Sequence, residues 1–305
     1  PEKWEASPVA RQRLGRGAVT DRKFAMHISE LYIYPVKSLR GIALERAKLG
    51  VRGLAFDRHW MVVDDEGRFV TQRQLPAMAQ VAVRLAPDTL VLEHPAAAPL
   101  TIELARDDQS ALTASVWEDR CRALDEGGEA ARWLTGVLGA VNGSGLRLVR
   151  FAPDQQRGVD ARYLQGEGAH TAFADGFPFL VTSESSLAAV NAALVKKGLD
   201  PVPMSRFRPN IVIDGAEGFA ENGWGELHGT EGRYRLGLRK ACQRCKITTV
   251  DQRSGDIRVP GEPLRTLVTM SAHVGKPGGY FGQNATLLAG PGETMRVGDS
   301  LTALA

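Results

Sequence analysis

The chain has 305 residues, 43% of them hydrophobic and 24% charged, and its net charge of +3 comes from 38 Lys and Arg against 35 Asp and Glu. This composition excludes disorder along the whole chain, and at roughly 100–200 residues per domain the length predicts about two domains. The positive excess sits in residues 1–25, where Lys3, Arg11, Arg13, Arg16, Arg22 and Lys23 face Glu2, Glu5 and Asp21, leaving 32 charges of each sign in the rest. Despite a pI of 8.9, the uniformly basic footprint of a nucleic-acid-binding domain is absent, and no nucleic-acid partner is expected.

No run approaches the ~18 consecutive apolar residues of a membrane span, and the first residues lack the apolar core of a secretory signal. We expect a soluble, cytoplasmic protein. Residues 1–25 read as a basic N-terminal extension ahead of a start at Met26, because Glu2 and Glu5 do not suit an acid-poor transit segment. Cys121, Cys242 and Cys245 are an odd set, no disulfide framework, and fit a reducing compartment.

In chain order, 28–36, 42–49, 59–63, 68–71, 79–85, 89–92 and 100–104 are short, rich in branched and aromatic residues, and separated by Gly, Asp or Pro. Such spacing predicts strands of a barrel or sandwich. Asp64-Asp65-Glu66-Gly67 predicts a hairpin turn. Ala130, Trp133, Leu134, Val137 and Leu138 form one helical face within 126–139. The stretch 152–176 is long, Gly- and Asp-rich and poor in apolar residues, which marks a domain boundary and a functional or mobile loop. After it, Ser183 predicts the N-cap of a helix through Leu187, Val190 and Leu194, with Gly198 as its C′ residue and Pro201 as a stop. Further strands are predicted at 211–213, 233–238, 246–250, 256–259, 285–289 and 295–304, and a short helix near 263–271. The result is a mostly β protein with a few helices (α+β) in two β-barrel-like domains, 26–151 and 152–305.

Cys242-Gln243-Arg244-Cys245 is a lone CxxC with no second pair and no spaced His pair, so a four-ligand zinc site is unsupported. A redox pair would open a helix, whereas 246–250 reads as a strand; two buried thiols are the plain alternative. The neighbourhood argues against that plainness, since Arg233, Arg235, Arg239, Lys240, Arg244 and Lys246 occur with no acid among them. Positive potential there favours a thiolate and an anionic ligand. Arg206 and Arg208, with Asn210, precede the strand at 211–213, and a guanidinium fork suits phosphate. Lys37 and Ser38, and Asp57 and Arg58, stand at strand ends. The scattered histidines support neither a His metal site nor a Ser/His/Asp triad, and the Gly-rich pieces 166–168 and 275–282 match no nucleotide loop. Trp60, Trp117, Trp133 and Trp224 read as core.

In combination these motifs are distinctive. Tyr34-Pro35-Val36-Lys37-Ser38 with Asp57-Arg58-His59-Trp60-Met61-Val62 resembles the β-barrel domain that precedes MOSC domains. Phe207-Arg208-Pro209-Asn210-Ile211-Val212 and Cys242-Gln243-Arg244-Cys245-Lys246-Ile247-Thr248-Thr249-Val250-Asp251 resemble the MOSC domain itself. Over roughly 27–304 the chain is most similar to the mitochondrial amidoxime-reducing components and their bacterial relatives. The resemblance implies a pyranopterin molybdenum cofactor with the metal on Cys245 and with Cys242 structural. It implies cofactor contacts from Lys37, Ser38, Arg58, Arg208, Asn210, Gln243 and Arg244, with Arg73 a weaker candidate. It also implies main-chain contacts from Gly176 and Phe177, where relatives carry a Thr-Ser pair. The implied activity is reduction of N-hydroxylated compounds by a monomer, with electrons from a separate ferredoxin, flavodoxin or haem protein plus reductase, because three cysteines cannot ligate a ferredoxin cluster. The alternatives are a cofactor carrier or sulfuration protein without its own substrate, and a non-catalytic binding module.

Overall fold

The computed structural model describes residues 25–271 and 277–305. The basic extension, apart from Ala25, lies outside them, as do His273 and Gly275. Strand His27–Ile33 buries Ile28, Leu31 and Ile33 around a one-residue irregularity between Ile28 and Glu30. It pairs antiparallel with Ile42–Leu44 on one side and with Ile211–Asp214 on the other. The first strand of the chain is therefore built into a sheet made mostly of its C-terminal half. That eight-stranded sheet runs Leu301–Leu304, Glu226–Gly229, Arg235–Gln243, Tyr280–Ala289, Phe179–Ser183, Ile211–Asp214, His27–Ile33, Ile42–Leu44. Within it only Phe179–Ser183 and Ile211–Asp214 pair in parallel. Parallel neighbours need a crossover.

Helix α1 (Gly128–Leu138) buries Ala130, Leu134 and Leu138 at four-residue spacing. Helix α2 (Glu184–Lys196) is the crossover; the Ser183 hydroxyl accepts the Ser186 N–H as N-cap, and Gly198 follows its end at φ +73°. Helix α3 is Leu264–Met270. A four-stranded antiparallel sheet orders Trp60–Val63, Arg147–Phe151, Asp119–Asp125 and Ala111–Val116, and two three-stranded sheets complete the chain. The protein is mostly β with a few helices.

Three predicted strands are corrected. Residues Lys246–Thr249 form a 3-10 turn, because the Thr248 and Thr249 hydroxyls donate back to Cys245 O (3.0 Å) and Lys246 O (2.7 Å). Local side-chain bonding thus overrides the β preference of an Ile-Thr-Thr-Val run. Residues 256–259 pair with no strand. The segment 68–71 forms only isolated bridges, Val63 to Phe69 and Arg68 to Ser115, after the turn closed by Gly67 at φ +75°.

Loop 152–176 is held down. Arg157, 7% exposed, donates to Ala172 O, Ala174 O and Asp175 O and pairs with Asp119 at 2.6 Å. Behind strand Trp60–Val63, the buried Glu126 carboxylate accepts Trp60 Nε1 (2.6 Å), Arg150 Nε (2.7 Å) and Gln109 Nε2 (2.7 Å). Removing the carboxylate leaves the Trp60 indole N–H and the Arg150 Nε unpaired among buried groups, so Glu126→Ala should lower stability by about 3–5 kcal/mol in urea unfolding. His59 packs on Trp60 at 5.3 Å, and burial, with Arg150 and Arg52, pushes its pKa down to about 4. The unfolded chain protonates first, so this contribution is complete above about 6.5 and is lost as pH falls toward 4. His59→Gln should flatten the stability profile across that window.

Candidate functional site

A small, partly open cleft of about 130 Å³ runs between the large sheet and the N-terminal strands. Five cations line it (Lys37, Arg58, Arg73, Arg208 and Arg244), against a single carboxylate, Asp175. Three lining residues, Ser38, Arg58 and Arg208, have left-handed backbone at φ 67°, 47° and 53°. Strain of this kind concentrates where a side chain must be aimed. Arg208 follows the 3-10 turn Met204–Phe207 and leads into strand Ile211–Asp214, while Arg58 precedes strand Trp60–Val63. The two come from different sheets.

Each cation is held by a neutral or anionic partner. Asp57 accepts both the Tyr34 N–H (2.8 Å) and the Arg58 guanidinium (2.8 and 2.7 Å). Arg208 Nη1 donates to Gln252 Oε1 at 2.9 Å. The guanidinium carbons of Arg58 and Arg208 both lie 4.2 Å from the centroid of the Tyr34 ring. Burial raises the Tyr34 phenol to about 12 against the pull of both arginines, so the ring stays neutral. A Cβ at Gly41 would stand 2.4 Å from this ring, which only glycine avoids. Lys37 donates to Phe173 O (2.7 Å) and to Asp175 (2.5 Å). Burial lowers the Lys37 ammonium and Asp175 opposes it.

Acceptors in the cleft do not match its donors. Arg208 Nη2 and Arg244 Nε are buried with no hydrogen-bond partner. Burial lowers the Arg208 guanidinium to about 10, with Tyr34 opposing and Arg58 adding to the effect. An anion in the cleft would satisfy both orphaned donors. Beside them, Cys245 Sγ accepts from Arg73 Nη2 at 3.2 Å and Cys242 Sγ from Arg244 Nη1 at 2.7 Å.

The cleft brings together Lys37, Ser38, Arg58, Gly176, Phe177, Arg208, Asn210, Arg244 and Cys245, with Arg73 and Cys242. Gln243 does not line it; its amide donates to Pro277 O at 3.3 Å. Asn210 lines it with a committed amide, Oδ1 accepting Arg58 Nη1 and the Leu180 N–H, and Nδ2 donating to Tyr32 O. Arg206 points elsewhere, to Thr249 O and Asp251. Of the basic run 233–246, Arg244 alone lines the cleft among the described residues. Arg233, Arg235 and Arg239 pair with Asp299, Glu226 and Glu167, and Lys240 sits over Tyr163.

Residues 25–141 match the MOSC N-terminal β-barrel domain and residues 168–302 the MOSC domain. The human mitochondrial amidoxime-reducing component 1 is 36% identical over 273 residues, covering 86% of this chain and 75% of that protein. The chain belongs to the amidoxime-reducing component family of MOSC proteins. Other members are component 1 of Xenopus laevis, 34% identical with 84% and 75% covered, and component 2 of Bos taurus, 34% identical with 79% and 70% covered.

In this family member, sequence reasoning missed Tyr34 and Gln252 as holders of the arginines, and Asp175. Only the Gly- and Asp-rich composition of 152–176 pointed toward Asp175. Trp117, read as core, is instead 49% exposed at a hairpin tip. The shared ring sets an expectation: Tyr34→Leu should weaken sulfate binding to the cofactor-free protein about fivefold, while Tyr34→Phe retains it. The sulfate dependence of the melting temperature measures both.

Proposed function

We propose that this protein reduces N-hydroxylated compounds such as amidoximes, hydroxylamines and N-hydroxylated bases, using a pyranopterin molybdenum cofactor whose metal is bound by Cys245. The observation that carries this reading is the pair of orphaned donors, Arg208 Nη2 and Arg244 Nε, in a five-cation cleft that also holds the Cys245 thiol. A phosphate-bearing cofactor fits those donors. Among the described residues no group of three His, Cys, Asp or Glu could hold a metal. A metal bound here through one protein thiolate would bring its other ligands on the cofactor, and soft sulfur suits such a centre.

When bound, the cofactor supplies oxygen acceptance and electron storage; overall, an amidoxime, two electrons and two protons give an amidine and water. The protein's part is positional. Lys37, Arg58, Arg208 and Arg244 hold the anionic part of the cofactor, and Ser38 with the main chain at Gly176 and Phe177 lines its bed. Asp175 keeps Lys37 in place, and Arg73 directs an N–H at the Cys245 sulfur. Electrons come from a separate donor, a ferredoxin, flavodoxin or haem protein with its reductase, and we place the reaction in a reducing, cytoplasmic setting.

Protein made in a cofactor-competent host should contain molybdenum and, chemically reduced, should convert benzamidoxime to benzamidine. Cys245→Ala should lose the metal while Cys242→Ala keeps some, and Arg208→Ala should retain less pterin without unfolding. Equal metal in wild type and Cys245→Ala refutes the ligand assignment. Metal-loaded protein that turns over no N-hydroxylated compound favours a cofactor carrier.

A further inference from the structure

Arg73 Nη2 stands 3.2 Å from Cys245 Sγ, and three separate parts of the chain hold it there. Its backbone is fixed in a turn, where the Thr71 hydroxyl accepts the Arg73 N–H at 3.2 Å and donates to Gln74 Oε1 at 2.6 Å. Its guanidinium carbon lies 4.7 Å from the centre of the Trp117 ring, which Phe69 braces edge-on at 5.1 Å. Asp175 links the two: Oδ2 is 3.6 Å from Arg73 Nη2, and Oδ1 accepts the indole N–H at 3.3 Å. Trp117 sits at a hairpin tip with φ 54°, a backbone that bulky residues rarely adopt, and is 49% exposed, so burial does not account for it. Its contacts with Arg73 and Asp175 do. Unlike Arg208 and Arg244, Arg73 has no orphaned buried nitrogen for an anion to satisfy; its N–H is given to the sulfur.

We propose that Trp117 and Asp175 are positioning residues that aim Arg73 at the Cys245 sulfur, and that this N–H···S contact sets the reduction potential of a metal bound there. The inference rests on the cofactor reading of the cleft. A hydrogen bond and a positive charge at a ligating sulfur withdraw electron density from it and favour the more reduced, more negative state of the metal. Without them the metal is harder to reduce. The indole acts at one remove, by holding a planar guanidinium against its face.

The test is a redox titration of cofactor-loaded wild type, Arg73→Gln, Trp117→Ala and Trp117→Phe, with the molybdenum followed by electron paramagnetic resonance and its content measured in each. It needs neither substrate nor electron donor. Arg73→Gln should lower the midpoint potential by a shift of about tenfold in the reduction equilibrium, which is about 59 mV for a one-electron step. Trp117→Ala should lower it by about threefold, and Trp117→Phe, whose ring still faces the guanidinium, by less. Should Arg73→Gln lose the metal, the Trp117 variants decide, because the indole does not line the cleft. A wild-type potential in metal-loaded Trp117→Ala, or a rise in any variant, overturns the proposal and leaves the cofactor reading intact. A wild type that binds no molybdenum overturns the cofactor reading itself, and this inference with it.

Discussion

Two like-charged guanidinium groups, Arg58 and Arg208, share one tyrosine ring, and the cleft depends on that arrangement. Five cations around one small space repel one another, and burial withdraws the water that would screen them. The protein offsets this with Asp57 under Arg58, Asp175 against Lys37, the Gln252 amide on Arg208, and the neutral Tyr34 ring facing both arginines. The compensation is incomplete at Arg208 Nη2 and Arg244 Nε. Those two unpaired donors are what the proposed anionic cofactor would satisfy.

The fold brings these groups together by interleaving the two ends of the chain. Strand His27–Ile33 pairs with Ile211–Asp214, so Tyr34, immediately after the first, meets Arg208, three residues before the second. Arg157 then ties loop 152–176 to Asp119, which carries Asp175 to the Lys37 side of the cleft. Positioning is therefore done by β pairing and a few buried polar contacts, with Glu126 fixing the strand behind Arg58.

Much of the secondary structure was legible because it rests on local periodicity. The four-residue spacing of Ala130, Leu134 and Leu138 marks α1, and the cap at Ser183 marks α2. The turn after Cys245 was not legible as such. Its Ile-Thr-Thr-Val residues have strand propensity, and the outcome is set by hydroxyls that bond back to the chain. The charge run 233–246 misled for another reason: successive residues of a strand face opposite ways, and ion pairs to Glu226, Glu167 and Asp299 turn most of the run away from the cleft.

By itself the sequence determined that the chain is β-rich, with a neutral body, a CxxC thiol pair, and cations at strand ends in motifs that mark a MOSC protein. Those features are local in composition and spacing. Which cations converge, that Gln243 lies outside the cleft, that Trp117 is half exposed, and that Tyr34 serves two arginines were decided only by tertiary structure. These facts depend on contacts between segments well separated along the chain, and no local pattern encodes where such partners meet.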